Sequence, residues 1–535
     1  MKKISLIIMA TIFLTAISLA QTLVPGGMVS GTWTLAGSPY LIGGSIMVPN
    51  DSTLTIEPGV EVTFQGTFKL LVLGRLLSIG TASDTITFTS ADTTAGWRSI
   101  RFDGTPATSD TSKIIYCKLQ YGKATGVPPD NSGGAIYFDN FSKVVISNCL
   151  ITHCLADEAG GGIYCINSSP VIIDNTISYN HGANVGGGIC CHVNSSPVIM
   201  GNTITHNTTF FNGGSGISVI SGSPAIINNI IAYNSNLTYS GGGIWCNGCN
   251  AEITGNTISN NSAPFGGGIN TSGGTPTLLN NTITNNTADH GGGILCTNSS
   301  PVITNNTLAN NFAGDGGALY CQYISGPTLR NTILWGNTAS GGGQQVYLSD
   351  EASDPNFYYC DVMGGSAAFE TNFNIYTGIY QNNINLSPNF VAPAAGSGAV
   401  YDGVTADWSV LDGSPCINAG DPGGIYPATD KAGNPRVVEG RIDIGAYEYQ
   451  WFLGYDPVNH QVEPILYPNP VVDYLVIDSP QKSLLVITNS IGQIVKTINH
   501  NFAKTTIYLG NLPSGVYVVQ TTTGDAVTFT KLVKR

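Results

Sequence analysis

A repeat between Gly160 and Gly343 constrains this chain more than any other feature. Gly160-Gly161-Gly162-Ile163 returns as Gly186-Gly187-Gly188-Ile189, Gly241-Gly242-Gly243-Ile244, Gly266-Gly267-Gly268-Ile269 and Gly291-Gly292-Gly293-Ile294. Variants stand at Gly133-Gly134-Ala135-Ile136, Gly214-Ser215-Gly216-Ile217 and Gly316-Gly317-Ala318-Leu319. The closing apolar residues step by 27, 26, 28, 27, 25, 25 and 25. A second marker, Asn175, Asn202, Asn229, Asn256, Asn281, Asn306 and Asn331, runs in phase with them. Two markers sharing one period define an internal repeat.

Each repeat holds three short β-prone pieces, as at Ile294–Cys296, Val302–Thr304 and Thr307–Ala309, separated by Gly, Asn, Ser and Pro. No piece is long enough for an ordinary helix, so helical solenoids are excluded. The pattern predicts one coil of a parallel β-helix per repeat, stacked at the strand spacing of about 4.8 Å. Residues i and i+2 of a strand share a face. Cys165, Cys191, Cys246, Cys296 and Cys321 follow the apolar marker by two. They are therefore expected in an inner stack as small buried hydrophobes. The Asn series is expected to form a ladder at one turn, each amide bonding the next. The glycines serve positive φ or close coil approach; no helix or Lys follows them to make a phosphate cradle.

Residues 1–20 read as a signal peptide: Lys2 and Lys3, then an apolar run, then Ser18-Leu19-Ala20 before Gln21, with cleavage expected between Ala20 and Gln21. No other stretch approaches the roughly 20 apolar residues of a membrane helix. Net charge is −13, which argues against nucleic acid and anionic lipid. Twelve Cys in an exported chain invite a disulfide reading. Cys149/Cys154 and Cys246/Cys249 are the local candidates, and an unpaired inner stack is the preferred alternative. Residues 21–115 read as first coils and cap, 116–390 as repeats, 391–449 as a salt-bridged C-terminal cap or anchor segment, and 450–463 as a linker. Residues 464–535 carry regular short strands and read as a small β-sandwich. The expected class is all-β: a single-stranded parallel β-helix, right-handed by the usual hand of parallel crossovers rather than by any residue here, followed by a small β-sandwich.

The repeats resemble the right-handed parallel β-helix family, with its pectin-lyase fold, and Gly133-Gly134-Ala135-Ile136 resembles the repeat of polymorphic outer-membrane proteins. Residues 414–449 are similar to terminal domains of surface proteins whose anchoring varies. The C-terminal part resembles the type A sorting domain of the Bacteroidetes type IX secretion system. The residues that carry this likeness are Tyr467, Pro468, Asn469, Pro470, Gly492, Gly515, Tyr517 and Lys531. That resemblance implies passage across a Gram-negative outer membrane by the type IX machinery. It also implies release, or attachment to surface lipopolysaccharide.

Many parallel β-helices cleave polysaccharides. Residues 160–345 contain only Asp174, Glu252, Asp289 and Asp315 as acids and Arg330 as base; Asp289 and Asp315, in adjacent coils, are one candidate pair but have no cationic partner, and no recognised catalytic spacing joins the acids of the terminal coils. No catalytic residue, cofactor or metal ligand is assigned, and no motif supports calcium. The expectation is a non-catalytic secreted or surface β-helix, outer-membrane associated, serving adhesion or contact with extracellular glycans. A polysaccharide lyase or glycoside hydrolase and a structural surface fibre are the alternatives.

Overall fold

The computed structural model describes residues 21–535 except 425, 439, 451–464, 479–481, 490–492, 501–503 and 524–525. The chain divides after Gln450 into two compact units. The first is a parallel β-solenoid of about 14 turns.

One coil shows why the sequence winds this way. Ile294–Thr297 belongs to a 13-stranded sheet, here sheet I, and Val302–Thr304 to a 14-stranded sheet II. Thr307–Ala309 belongs to a 14-stranded sheet III, and Phe312–Asp315 to a nine-stranded sheet IV. Sheet IV is a fourth face beyond the three expected. It starts only at Lys123–Ala124, and its strands are two to five residues long. Each strand pairs in parallel register with its counterpart one coil on, as Ile294 with Leu319 and Cys296 with Cys321. One register therefore fixes which side chains face inward along the whole stack. Ile, Leu, Val and Phe fill the interior through a continuous core from Trp33 to Val362.

The glycine motif has a steric cause. The first Gly of each copy has positive φ, as Gly241 at 65°. The second and third face the next coil's backbone: a Cβ on Gly243 would lie 2.6 Å from the carbonyl oxygen of Gly268. A side chain larger than the Ala135, Ser215 and Ala318 of the variant copies would push the coils apart.

Cys165, Cys191, Cys246, Cys296 and Cys321 are fully buried, and all twelve cysteines are free thiols. Burial pushes the Cys165, Cys191 and Cys321 thiols well above their usual range. Cys149 and Cys154 are not bridged. They flank strand Leu150–Thr152 and head two separate columns of asparagines, each offering its N–H to the first amide below; Cys149 Sγ accepts from the Cys117 N–H, whereas the Cys154 thiol donates to the Thr152 carbonyl. Cys246 and Cys249 are neighbouring buried thiols, also unbridged.

In the first asparagine column, at the turn between sheets II and III, the N–H of Asn175 donates to Asn202 Oδ1 at 2.9 Å. Asn202, Asn229, Asn256 and Asn281 repeat this bond down to Asn306. Asn331 does not continue the column. The next coil is one residue longer, so Thr332 takes the place and its Oγ1 accepts from the Asn306 N–H at 3.4 Å. Asn331 lies one step earlier, in the positive-φ turn column of Asn280 and Asn305.

Residues 391–449 do not end the solenoid as a cap. They run back along its flank over the outer face of sheet III. Asn310 Nδ2 donates to the carbonyls of Ala394 and Gly396, Asn285 to Gly396 and Gly398, and Asn260 to Ala399 and Tyr401. On the other edge Asn280 Nδ2 donates to Thr429 O, and Lys431 Nζ to Gly255 O at 2.8 Å. This strap buries Ser259, Thr284, Thr307 and Ile333, whereas Thr176 and Ile230, beyond it, are exposed. The strap brings ionisable side chains of its own into the interface. Arg436 and Glu448, both with fully buried side chains, stand 3.7 Å apart, and Arg330 pairs with Asp421.

The second unit packs a three-stranded antiparallel sheet (Ile465–Tyr467, Tyr474–Asp478, Lys504–Tyr508) with a four-stranded one (Ser483–Asn489, Ile494–His500, Gly515–Thr523, Ala526–Lys534). Val471, Leu475, Ile477, Leu485, Ile487, Val519 and Leu532 form their core.

Candidate functional site

The middle residue of each sheet I strand points outward, and parallel register stacks these residues into a column. Tyr137, Tyr164, Cys190, Ser218, Trp245, Asn270, Leu295, Tyr320 and Tyr347 succeed one another there. The column is sunk rather than exposed, because the glycine turns and sheet IV rise beside it. Trp245 keeps 9% of its surface. Gly213 lets the neighbouring backbone close on the indole: a Cβ there would lie 2.7 Å from the ring.

Two hollows open over this column and share Asn212 and Trp245. The larger, about 480 Å³, is lined by Tyr239, Phe265, Asn270, Leu295, Asn247, Thr297, Gln322 and Tyr323 among others. The smaller, about 210 Å³, is lined by Glu158, Tyr164, Asn184, Cys190 and His192. Aromatic rings follow one flank, with centroids 5.7 Å apart for Tyr239 and Phe265, 5.4 Å for Phe265 and His290, and 5.1 Å for His290 and Tyr320. Together the hollows form a groove along the solenoid axis, lined by aromatic faces, amides and hydroxyls.

The titratable groups of the groove are mostly spoken for. Glu158 Oε1 accepts from Asn184 Nδ2 at 2.6 Å, and His290 Nδ1 lies 3.3 Å from Asp315 Oδ2. Tyr164 Oη shares a hydrogen bond of 2.9 Å with His192 Nδ1. Burial holds His192 below its ordinary value, with Glu158 opposing. Burial also raises the Tyr320 hydroxyl to about 12. Asn270 differs. Its Nδ2 reaches the Phe265 carbonyl at 3.4 Å, but its buried Oδ1 has no donor among the described residues. These groups can grip a polar ligand, and no two carboxylates flank a common point in the groove lining.

The charged cluster of the early coils is self-contained. Asp130 pairs with Lys69 at 3.2 Å and Arg98 at 2.9 Å, and Arg101 lies 3.7 Å from the Tyr137 ring centre. Among the described residues no group of three or more His, Cys, Asp or Glu is placed to hold a metal. No described helix is long and apolar enough to cross a membrane.

Sequence reasoning missed a second asparagine column, five residues after the first. Asn180, Asn207, Asn234, Asn261, Asn286 and Asn311 bond in succession, ending on Asn337. Its signal, a second Asn at constant offset, is in the sequence, but it has no turn to occupy until sheet IV is known. Trp245 was visible as an aromatic; the groove around it was not.

In the second unit, Asn469 ties the Tyr467-Pro468-Asn469-Pro470 segment to the last strand. Its Nδ2 donates to Lys531 O at 2.6 Å and its Oδ1 accepts from Val533 N–H at 2.9 Å. Gly515 opens the strand that contains Tyr517, whose hydroxyl donates to Pro513 O at 2.8 Å. Gly492 lies outside the described residues, as does Ala20 of the expected cleavage pair Ala20/Gln21.

Comparison with known families matches residues 465–535 to the secretion system C-terminal sorting domain. No curated protein matches the chain. Residues 107–236 and 203–374 match the right handed beta helix region, together half of the chain. By this match and by its stacked coils in parallel register, the chain belongs to the right-handed β-helix family.

Proposed function

We propose that this secreted or surface β-helix protein contacts extracellular glycans through the sheet I groove, without cleaving them. The single observation that carries this reading is the groove itself: Trp245, Tyr239 and Phe265 stand beside Asn212, Asn247, Asn270 and Gln322 along one axis. Aromatic rings present apolar area with little entropy to lose, and amides bond hydroxyls. An adhesive role follows from the same surface.

Export has firmer support. The sorting domain implies interaction with the type IX secretion machinery. Removal of residues 1–20 after Ala20, passage through a Gram-negative outer membrane and retention on surface lipopolysaccharide complete the proposal. The ordered segment from Tyr467 to Pro470 and the terminal strand with Lys531 are the parts proposed to be read by the export machinery.

The test is a glycan array probed with the full mature chain, alongside an assay for new reducing or unsaturated ends. Retention on glycans without product formation is the expected result. Product that disappears on changing one acidic residue would replace this reading with an enzyme.

A further inference from the structure

The groove's charge composition points to a ligand class. Resting on the glycan-contact reading, we infer that the sheet I groove takes uncharged polysaccharide chains and turns away acidic ones. Neither hollow has a Lys or Arg in its lining. The one basic side chain there is His192, whose imidazole burial moves below its ordinary value, with Glu158 opposing. Such charge as stands nearby is negative: Glu158 in the smaller hollow, Asp315 beside His290, and Asp350, whose Oδ2 accepts from the Tyr323 N–H at 2.6 Å. A uronate, sulfate or phosphate group seated here would lose water and meet no cation, which is the costly way to bury charge. It would also face like charge in a cleft that focuses the field.

Asn270 supplies the complementary demand. It sits between Trp245 and Leu295 in the outward column, at 4% exposure. Its amide nitrogen is engaged and its oxygen lacks a donor among the described residues. A buried acceptor without a donor is unfavourable, and native structures rarely leave one unanswered. A sugar hydroxyl donates there and leaves its ring over the neighbouring apolar side chains. An acidic substituent cannot donate in its ionised form.

The experiment measures retention of the full mature chain on immobilised neutral polysaccharides (glucans, mannans, xylans) and on acidic ones (polyuronates, sulfated galactans). Each is run at low and at high salt. Neutral chains are expected to retain the protein with little salt dependence. Asn270→Ala should weaken retention about tenfold, the worth of one buried hydrogen bond. Thr297→Lys, which places a cation on the wall, should recruit acidic chains that the parent ignores. An unchanged melting curve for each variant guards against misfolding. Stronger retention on acidic chains, or equal neutral binding by Asn270→Ala, would overturn the inference while leaving glycan contact standing. Retention on no polysaccharide would overturn both.

Discussion

Asn281 shows at the scale of one residue how this fold is held. Its N–H and its Nδ2 both reach Asn306 Oδ1, its Nδ2 also reaches Ile253 O, and its Oδ1 accepts from the N–H and Nδ2 of Asn256. All are between 2.8 and 3.0 Å, in a site with no exposure. The turn backbone has no strand partner at this point, so the amide replaces one. Asn281→Ala leaves the Asn256 N–H and the Ile253 carbonyl buried and unpaired, at a cost of about 2–5 kcal/mol. A lower melting temperature for that variant is the expected outcome, checked by calorimetry; an unchanged one would mean the ladder is ornamental. Most of this ladder was legible, because stacking at one turn makes identity repeat at the coil period. Asn331 was misplaced for the same reason. A fixed step carries no warning of a coil one residue longer, and only the bonds of Thr332 and Asn331 separate the two columns.

At the scale of elements, sheets I, II and III follow from short apolar runs and turn residues. Sheet IV does not, since its strands are as short as two residues and contain Gly, Asn and His. The strap was beyond sequence reading altogether. Its contacts join asparagine side chains to backbone carbonyls 84 to 149 residues away, and a carbonyl leaves no mark in composition. Its docking is predicted to depend on pH. Burial raises Glu448 to about 8 and Asp361 to about 7, and lowers Lys431 to about 7. A carboxyl raised in the docked state stabilises it fully below its ordinary value, and that contribution is lost as pH climbs towards 7 or 8. The lysine opposes docking most below about 7, and its penalty has nearly levelled there. Between pH 7 and pH 5 the carboxyls therefore dominate, and the strap holds more firmly at pH 5. Hydrogen exchange over residues 391–449 should slow on acidification, and Lys431→Met should slow it further at pH 7. Faster exchange at pH 5 would contradict the assignment of buried, protonated carboxyls.

At the scale of the whole molecule, a chain with a charge of −13 and few charged residues must bury a large apolar content without one large globular core. Coiling solves this, because each turn extends the same narrow interior. The same stacking lines up the outward column along the solenoid axis, and a groove that follows that axis suits a polymeric ligand better than a small one. Composition and repeat length were enough to read the coil; the groove needed the register, which decides that Trp245, Asn270 and Leu295 share a column. The most direct measurement is a titration of intrinsic fluorescence of the full mature chain with the neutral polysaccharides proposed as its ligands, comparing wild type with Trp245→Phe. The chain has six tryptophans, and among the described residues only Trp245 lines the groove hollows. Saturable quenching that vanishes in Trp245→Phe, with the melting temperature retained, is the predicted result. Quenching that persists unchanged in that variant would place the glycan elsewhere and contradict the groove.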